Sequence, residues 1–353
     1  MRLTHALLAA LLALPLAACA QTQETTPQVE TAAAWNQQAL AQAVDYARDQ
    51  NTSGFLIVQH GKTIAEENWP LPDDAAQFRD LFTYGTAADG ALLEDVASQQ
   101  KSFIAILVGV AVDKGLVDVS KPASAYLGEG WSKASPEQEA GITVLNLLQM
   151  NSGLNEQYGY EVPAGTKFFY NTPVYAALKP VLEKATGRDL ADLTHDWLTE
   201  PVGMTETAWR QRPAAIAGAS GNATGLVTTP RDVARMGQLV LDGGVAASGK
   251  RVISKAQLDA MFEHSPTNPS YGRLWWLNGG AYSISPGGDA KPRDGQLIAS
   301  APGDLVAALG AYDRKLFVVP SLDLVVVRMG RATPDRDFND QLWRLLTAAL
   351  PPA

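Results

Sequence analysis

The fold of this chain is decided by the stretch Asp95-Val96-Ala97-Ser98-Gln99-Gln100-Lys101-Ser102-Phe103 and by the apolar run from Ile104 to Val112 behind it. The run ends at Lys114 and Gly115, a cation and a glycine of the kind that close a helix. It is too short to cross a bilayer. A helix that is apolar on all sides is typical of the centre of a large soluble core.

Ser98 and Lys101 lie three positions apart at the start of this predicted helix, so their side chains share one face beside the positive end of the helix dipole. A hydroxyl next to an amine is the layout of a serine nucleophile with a lysine base. The alternative is a purely structural role, in which the serine caps the helix and the nearby lysine is exposed to solvent. Two observations favour the functional interpretation: no other Ser-x-x-Lys occurs in the chain, and burial would favour the neutral amine that a base requires.

Composition sets the class of protein. The chain has 353 residues, of which 46% are hydrophobic and 18% charged, as in an ordinary globular protein of one large domain or two interleaved ones. Its net charge of −9 argues against nucleic acid or anionic lipid as a main partner. The four histidines share no ligand spacing, so we expect no metal site and no cofactor.

The N-terminus has the pattern of a secretory signal, with Arg2 followed by an apolar run from Ala6 to Leu16. The residues Leu16-Ala17-Ala18-Cys19 resemble the lipobox of bacterial lipoproteins. That resemblance implies a signal peptide over 1–18, lipidation of Cys19, a polar tether over 19–32 and a periplasm-facing lipid anchor in the bacterial envelope. Cleavage at Ala18-Cys19-Ala20 to release a soluble protein is the alternative. With one cysteine, no disulfide can form within the chain.

Hydrophobic periodicity predicts where the helices and strands lie. We expect a helix over 33–49, a hairpin of strands 55–58 and 63–65, and a mostly helical middle over 116–263. Strands return at 274–277, 305–309, 316–319 and 324–328, before a last helix over 338–350. Strands at both ends imply one sheet built from the two termini, with a helical insertion between them.

Several motifs together resemble the serine β-lactamase/penicillin-binding superfamily, in particular its class C β-lactamase-like esterases and amidases. They are the hairpin segment 54–61, Ser98-x-x-Lys101, and the segments 142–154, 165–170 and 225–232. The resemblance implies an α+β, β-lactamase/transpeptidase-like domain over 33–351. An antiparallel sheet flanked by helices would be joined by an all-helical subdomain over about 116–265, with the active site between them.

The resemblance also implies roles for individual residues. Ser98 would attack a carbonyl, Lys101 would take or relay its proton, and Tyr170 would act with Lys101 as base and then as acid. Positive charge on Lys101 would lower the pKa of Tyr170 for that task. The backbone N–H groups of Ser98 and Ala311 would form the oxyanion hole.

The chain departs from the family pattern at two places. Thr172 stands where the Tyr-x-Asn motif has its asparagine, with Asn171 one place early; Thr172 is either a substrate contact or a helix cap before Pro173. Ala308-Leu309-Gly310 replaces the family's Lys-Thr-Gly strand. Gly310 still allows close backbone approach, but the cation that binds a β-lactam carboxylate is missing. We therefore expect poor β-lactamase activity and a substrate whose acyl part is neutral.

One further side chain is a candidate substrate contact. Trp275 and Trp276 lie on a predicted strand, where alternation sends one ring to the core and leaves the other for the cleft, and Trp275 is the candidate for the cleft.

The sequence as a whole predicts a serine hydrolase that cleaves a small ester or amide through an acyl-enzyme on Ser98. A D-amino-acid peptidase or amidase acting on cell-wall peptides is an alternative with the same chemistry. A non-catalytic binding protein of the same fold is the alternative from another class, suggested by Thr172 and the missing Lys-Thr-Gly.

Overall fold

The computed structural model describes residues 34–286 and 291–352. The predicted signal peptide (1–18), the lipidation site Cys19 and the tether (19–32) lie outside the described residues. Within the described part, every helix is too short or too polar to cross a membrane.

Helices and strands alternate along the chain. The helices are α1 Gln37–Asp49, α2 Ala76–Phe82, α3 Gln100–Asp113, α4 Ser124–Leu127, α5 Pro136–Glu139, α6 Val144–Leu148, α7 Thr172–Ala176, α8 Leu178–Thr186, α9 Leu190–Thr194, α10 Glu200–Val202, α11 Ala214–Ser220, α12 Pro230–Leu241, α13 Lys255–Met261 and α14 Phe338–Ala349. The strands are β1 Thr52–Gln59, β2 Lys62–Asn68, β3 Thr83–Thr86, β4 Leu92–Asp95, β5 Ala208–Gln211, β6 Thr224–Thr228, β7 Trp276–Leu277, β8 Tyr282–Ser283, β9 Arg293–Asp294, β10 Val306–Gly310, β11 Arg314–Val319 and β12 Leu324–Gly330.

The main sheet joins the two ends of the described chain, as predicted. Its six strands run in the order β2-β1-β12-β11-β10-β7, and each neighbouring pair is antiparallel. Leu316 faces α12, where a Cβ on Gly237 would lie 2.9 Å from its side chain, while the next residue, Phe317, packs against Trp343 of α14. Because successive side chains of a strand point to opposite faces, α12 covers one face of the sheet and α14 the other.

A second sheet was not predicted. Its four strands run in the order β3-β4-β6-β5, and β5 and β6 belong to the segment predicted to be mostly helix and loop. A third, two-stranded sheet is formed by β8 and β9. The strand β4 ends at Asp95, so the second sheet leads directly into the stretch that carries Ser98.

The central helix is α3, which is buried from Gln100 to Ala111. A side chain at Gly109 would meet Ile253 and Met261 at 2.5 and 2.6 Å, so α13 packs closely against the helix backbone there. The helix is followed by Gly115 with φ +69°, as the glycine at its end predicted. Ser98 itself lies in a short 3₁₀ turn, Ala97–Gln99, that precedes the α-helix.

Candidate active site

Ser98 and Lys101 meet as the sequence predicted. The Lys101 ammonium or amine nitrogen Nζ lies 2.9 Å from Ser98 Oγ, and the lysine is only 2% exposed. The 3₁₀ turn is tighter than an α-helical one. It places Ser98 just before the N-terminus of α3, whereas the side chain of Lys101 is buried in the core. The candidate nucleophile and the candidate base are therefore in hydrogen-bond contact.

The turn that carries Ser98 is held by a buried ion pair. Ala97 has φ +50°, an uncommon value for a residue with a side chain, and its N–H donates to Asp95 Oδ1 at 2.8 Å. The Arg212 guanidinium donates to both oxygens of Asp95, at 2.7 and 2.9 Å. Such a bidentate pair fixes the carboxylate in position, and through it the backbone of the turn.

The surroundings of Lys101 favour its neutral form. Burial, with smaller effects from the positive charges of Arg212 and Lys179, holds the pKa of Lys101 well below its usual range. Among the described residues no carboxylate forms an ion pair with it, as the ion pairs of that part of the chain show. Its neighbours are the Thr172 hydroxyl, at 3.0 Å, and the rings of Tyr170 and Tyr175, each with its centroid 4.8 Å from Nζ.

Tyr170 lies beside the pair, but its pKa is opposite to the expectation. Burial raises the pKa of Tyr170 to about 12, and the interaction with Ser98 only partly offsets this. The expectation that Lys101 lowers the pKa of Tyr170 is therefore wrong, because the buried lysine favours its neutral form. The phenol stays protonated at neutral pH, which suits a proton donor. Its ring stacks on Trp276, with centroids 5.7 Å apart.

Asn171 and Thr172 divide the two roles that the sequence left open. Asn171 is the cap of α7: its Oδ1 accepts from the Val174 N–H at 3.1 Å, and its amide donates to the Leu154 carbonyl at 2.9 Å. Its assignment as a substrate contact is corrected, because both ends of the buried amide are engaged within the protein. Thr172 is left free to face Lys101 and the cavity.

Gly310 brings the edge of the main sheet against the Ser98 turn. A Cβ on Gly310 would overlap the carbonyl oxygen of Val96 and lie 3.3 Å from the Gln99 nitrogen, so only glycine fits this approach. The next residue, Ala311, lines the same cavities as Ser98. The backbone N–H groups predicted to form an oxyanion hole thus lie on neighbouring segments.

The tryptophan assignment needs correction. Trp275 is fully buried and packs edge-on against Phe262, with ring centroids 5.4 Å apart, whereas Trp276 lines the cavity beside Tyr170. The strand β7 begins only at Trp276, and Leu274 before it has φ +60°, so the chain turns just ahead of the pair. That turn determines which of the two rings faces the cleft, and the alternation of residues in the sequence does not indicate it.

Sequence reasoning missed a polar cluster behind Lys101. Lys179 Nζ donates to Asn222 Oδ1 at 2.7 Å and to the Thr224 carbonyl and hydroxyl at 3.0 and 2.7 Å. Burial lowers the pKa of Lys179 to about 7, with Arg212 acting in the same direction. Asn222 and Arg212 also line the cavity at Ser98. The available signal was position, since Asn222 and Thr224 lie within three residues before the segment 225–232.

Two cavities meet at Ser98 and Ala311. The lysine-side cavity, of about 240 Å³, and the tyrosine-side cavity, of about 380 Å³, share these two residues. The lysine-side cavity is also lined by Lys101, Thr172, Arg212, Ile216, Asn222 and Tyr312. The tyrosine-side cavity is also lined by Tyr170, Trp276, Leu297, Leu309 and Gly310. The described residues contain no cluster of His, Cys, Asp or Glu that could hold a metal ion.

Comparison with known proteins shows the family to which the chain belongs. The model of the Beta-lactamase family matches residues 36–350. The chain therefore belongs to that family, and it is a hydrolase of the β-lactamase and amidase type with the β-lactamase/transpeptidase-like fold.

Individual relatives are distant. The 6-aminohexanoate-dimer hydrolase of Paenarthrobacter ureafaciens is 23% identical over 334 residues, which cover 81% of this chain and 74% of the relative. A Bacillus anthracis protein provisionally named as a 6-aminohexanoate-dimer hydrolase has a similar structure, with a TM-score of 0.63, 18% identity and coverage of 86% and 80%. A class C β-lactamase structure gives a TM-score of 0.62, 17% identity and coverage of 89% and 95%.

Proposed function

We propose that this chain is a serine hydrolase that cleaves a neutral ester or amide through an acyl-enzyme on Ser98. The observation that carries the proposal is the 2.9 Å contact between Ser98 Oγ and Lys101 Nζ in surroundings that favour the neutral amine. A neutral amine at this distance can accept the hydroxyl proton as the oxygen attacks.

In the proposed steps, each proton that leaves one group is taken up by another. Lys101 takes the proton of Ser98 as Oγ bonds to the carbonyl carbon, and the N–H groups of Ser98 and Ala311 stabilise the oxyanion. As the bond to the leaving oxygen or nitrogen breaks, Tyr170 gives its proton to that atom and recovers one from Lys101. Water then attacks the acyl carbon and its proton passes through Tyr170 to Lys101. As the bond to Ser98 Oγ breaks, Lys101 returns a proton to that oxygen and the acid is released.

The substrate class follows from the strand at Gly310. Leu309 lines the cavity at the place of the family's threonine, and Ala308 stands at the place of its lysine, so a β-lactam carboxylate would find neither hydroxyl nor cation on that strand. We propose weak or no β-lactamase activity for this reason. The relative named 6-aminohexanoate-dimer hydrolase supports including amides beside esters in the substrate class.

The test compares two serines on successive turns. Ser98→Ala removes the nucleophile, whereas Ser102→Ala makes the same change at a hydroxyl that donates to the Leu274 carbonyl at 2.8 Å in the core. We expect Ser98→Ala to lose at least about a thousandfold in kcat/KM on short acyl esters and to lose labelling by a fluorophosphonate. Ser102→Ala should keep both, with a lower melting temperature. If Ser98→Ala turns over esters as fast as the wild type, the proposed mechanism is wrong.

A further inference from the structure

The two cavities differ in which proton-handling group they contain. The lysine-side cavity holds Lys101, whose neutral amine faces Ser98, and the tyrosine-side cavity holds the hydroxyl-bearing ring of Tyr170. In acyl transfer the nucleophile loses a proton and the leaving atom gains one. Since Tyr170 is the protonated group in contact with the second cavity, the leaving atom should lie on that side of Ser98.

The walls of the tyrosine-side cavity are mostly apolar. Trp276, Pro286, Leu297 and Leu309 form most of them together with the Tyr170 ring. Ser285 adds a hydroxyl, and none of the described residues that line this cavity carries a charge. Trp276 is held in place by edge-on contact with Tyr271, at 4.8 Å between centroids, and by its stacking on Tyr170. An ion moved from water into such walls without a partner would pay a large desolvation cost.

The lysine-side cavity has more polar lining residues than the tyrosine-side cavity, and the charge of its arginine is already matched. Thr172, Arg212 and Asn222 face it, but both Asp95 oxygens accept from the Arg212 guanidinium. The arginine therefore offers no free charge to a substrate anion. This volume suits a small, uncharged acyl group with polar atoms.

We propose that the tyrosine-side cavity is a leaving-group subsite for an uncharged, apolar alcohol or amine, while the acyl group lies in the lysine-side cavity. The inference rests on the proposed Ser98 hydrolase function and narrows its substrate class. The selectivity it describes belongs to the leaving group, so it is measured by varying that group at constant acyl structure.

The experiment uses two acetate esters of nearly equal shape. One carries the neutral 3,3-dimethylbutyl group and the other the cationic 2-(trimethylammonio)ethyl group. The cationic alcohol is the better leaving group, so intrinsic reactivity opposes the expected result. We expect the wild type to favour the neutral ester by at least about tenfold in kcat/KM.

Variants in each of the two cavities show which cavity determines the selectivity for the leaving group. Leu309→Glu should reduce the neutral-to-cationic ratio at least about tenfold, because it puts a carboxylate into the leaving-group wall. Leu309→Gln, of the same size without charge, controls for shape. Ile216→Ala, in the lysine-side cavity, should change the dependence on acyl length and leave the leaving-group ratio within about twofold of the wild type.

The outcomes separate this inference from the proposed function. A wild-type ratio near one, or an Ile216→Ala variant that changes the leaving-group ratio as much as Leu309→Glu, would overturn the subsite while ester turnover and fluorophosphonate labelling of Ser98 persist. Loss of that labelling in the wild type would instead overturn the serine hydrolase. If circular dichroism shows that Leu309→Glu does not fold, the subsite is still tested by the neutral-to-cationic ratio of the wild type and by the effect of Ile216→Ala on that ratio.

Discussion

At the residue scale, burial shifts the pKa values of two groups of the candidate site in opposite directions. Burial disfavours the charged form of each, so Lys101 loses its proton readily and Tyr170 keeps its own. Burial, the largest cause in both cases, thus favours a neutral amine beside a neutral phenol. In the proposed mechanism we therefore expect Lys101 to accept the first proton, a point that the Ser-x-x-Lys motif left open.

The two tyrosines beside Lys101 offer a matched pair of substitutions. Their ring centroids both lie 4.8 Å from Nζ, but only Tyr170 lines a cavity with Ser98; among the described residues no group accepts a hydrogen bond from the Tyr175 hydroxyl. Tyr170→Phe should lower kcat/KM by about a hundredfold or more, as expected for a lost general acid. Tyr175→Phe should leave kcat/KM within about threefold and should not lower the melting temperature. Equal kinetic losses in the two variants would remove Tyr170 from the mechanism.

At the element scale, the prediction succeeded where one local pattern decides the structure. The hairpin β1–β2, the strands β10 to β12 and the last helix, α14, lie where hydrophobic periodicity predicted them. The strands β5 and β6 were missed because neither alternates. The first two residues of β5 are partly buried and the last two exposed, and β6 is buried on both faces. Their pairing partners lie more than a hundred residues away or in a neighbouring short strand.

The strand β10 is the element whose fit to the Ser98 turn is most easily tested. Gly310→Ala would push a methyl group into the Val96 carbonyl and move the Ala311 N–H away from Ser98. We expect kcat to fall by about a hundredfold, as for the loss of an oxyanion-hole donor, and stability to fall by about 1–3 kcal/mol. Gly303→Ala is the control, since a Cβ there has its nearest contact 4.0 Å away. A Gly310→Ala variant with unchanged kcat would show that this strand does not set the oxyanion site.

At the scale of the whole molecule, the charged side chains around Lys101 come from separate segments that only the fold brings together. Arg212 follows β5, Lys179 lies in α8, and Lys101 lies in α3, with Asp95 at the end of β4 compensating the arginine. Ser98 and Lys101 could be predicted because a single helix turn holds them. The cluster of Arg212, Asn222 and Lys179 could not be predicted, because the spacing of these residues in the sequence does not indicate that they lie together in the fold.

This convergence predicts how activity depends on pH. Lys179 adds to the positive potential that keeps the pKa of Lys101 low, although burial is the larger cause. Activity should rise as pH rises through the lowered pKa of Lys101, because only the neutral amine accepts the Ser98 proton. Lys179→Met removes a like charge, so the pKa of Lys101 should rise and the acid limb of the kcat/KM profile should move to higher pH. The effect should be strongest below about pH 7, where Lys179 is protonated in the wild type because its pKa is about 7.

The control, Lys179→Arg, keeps the positive charge that Lys179 carries below about pH 7. Lys179→Arg should leave the acid limb within a few tenths of a pH unit of the wild type, even if its bulk lowers the melting temperature. Loss of the hydrogen bonds to Asn222 and Thr224 in Lys179→Met lowers stability, but a purely structural role would reduce kcat/KM equally at every pH. An acid limb that stays in place in Lys179→Met, or that moves as far in Lys179→Arg, would show that the charge of Lys179 does not act on the base.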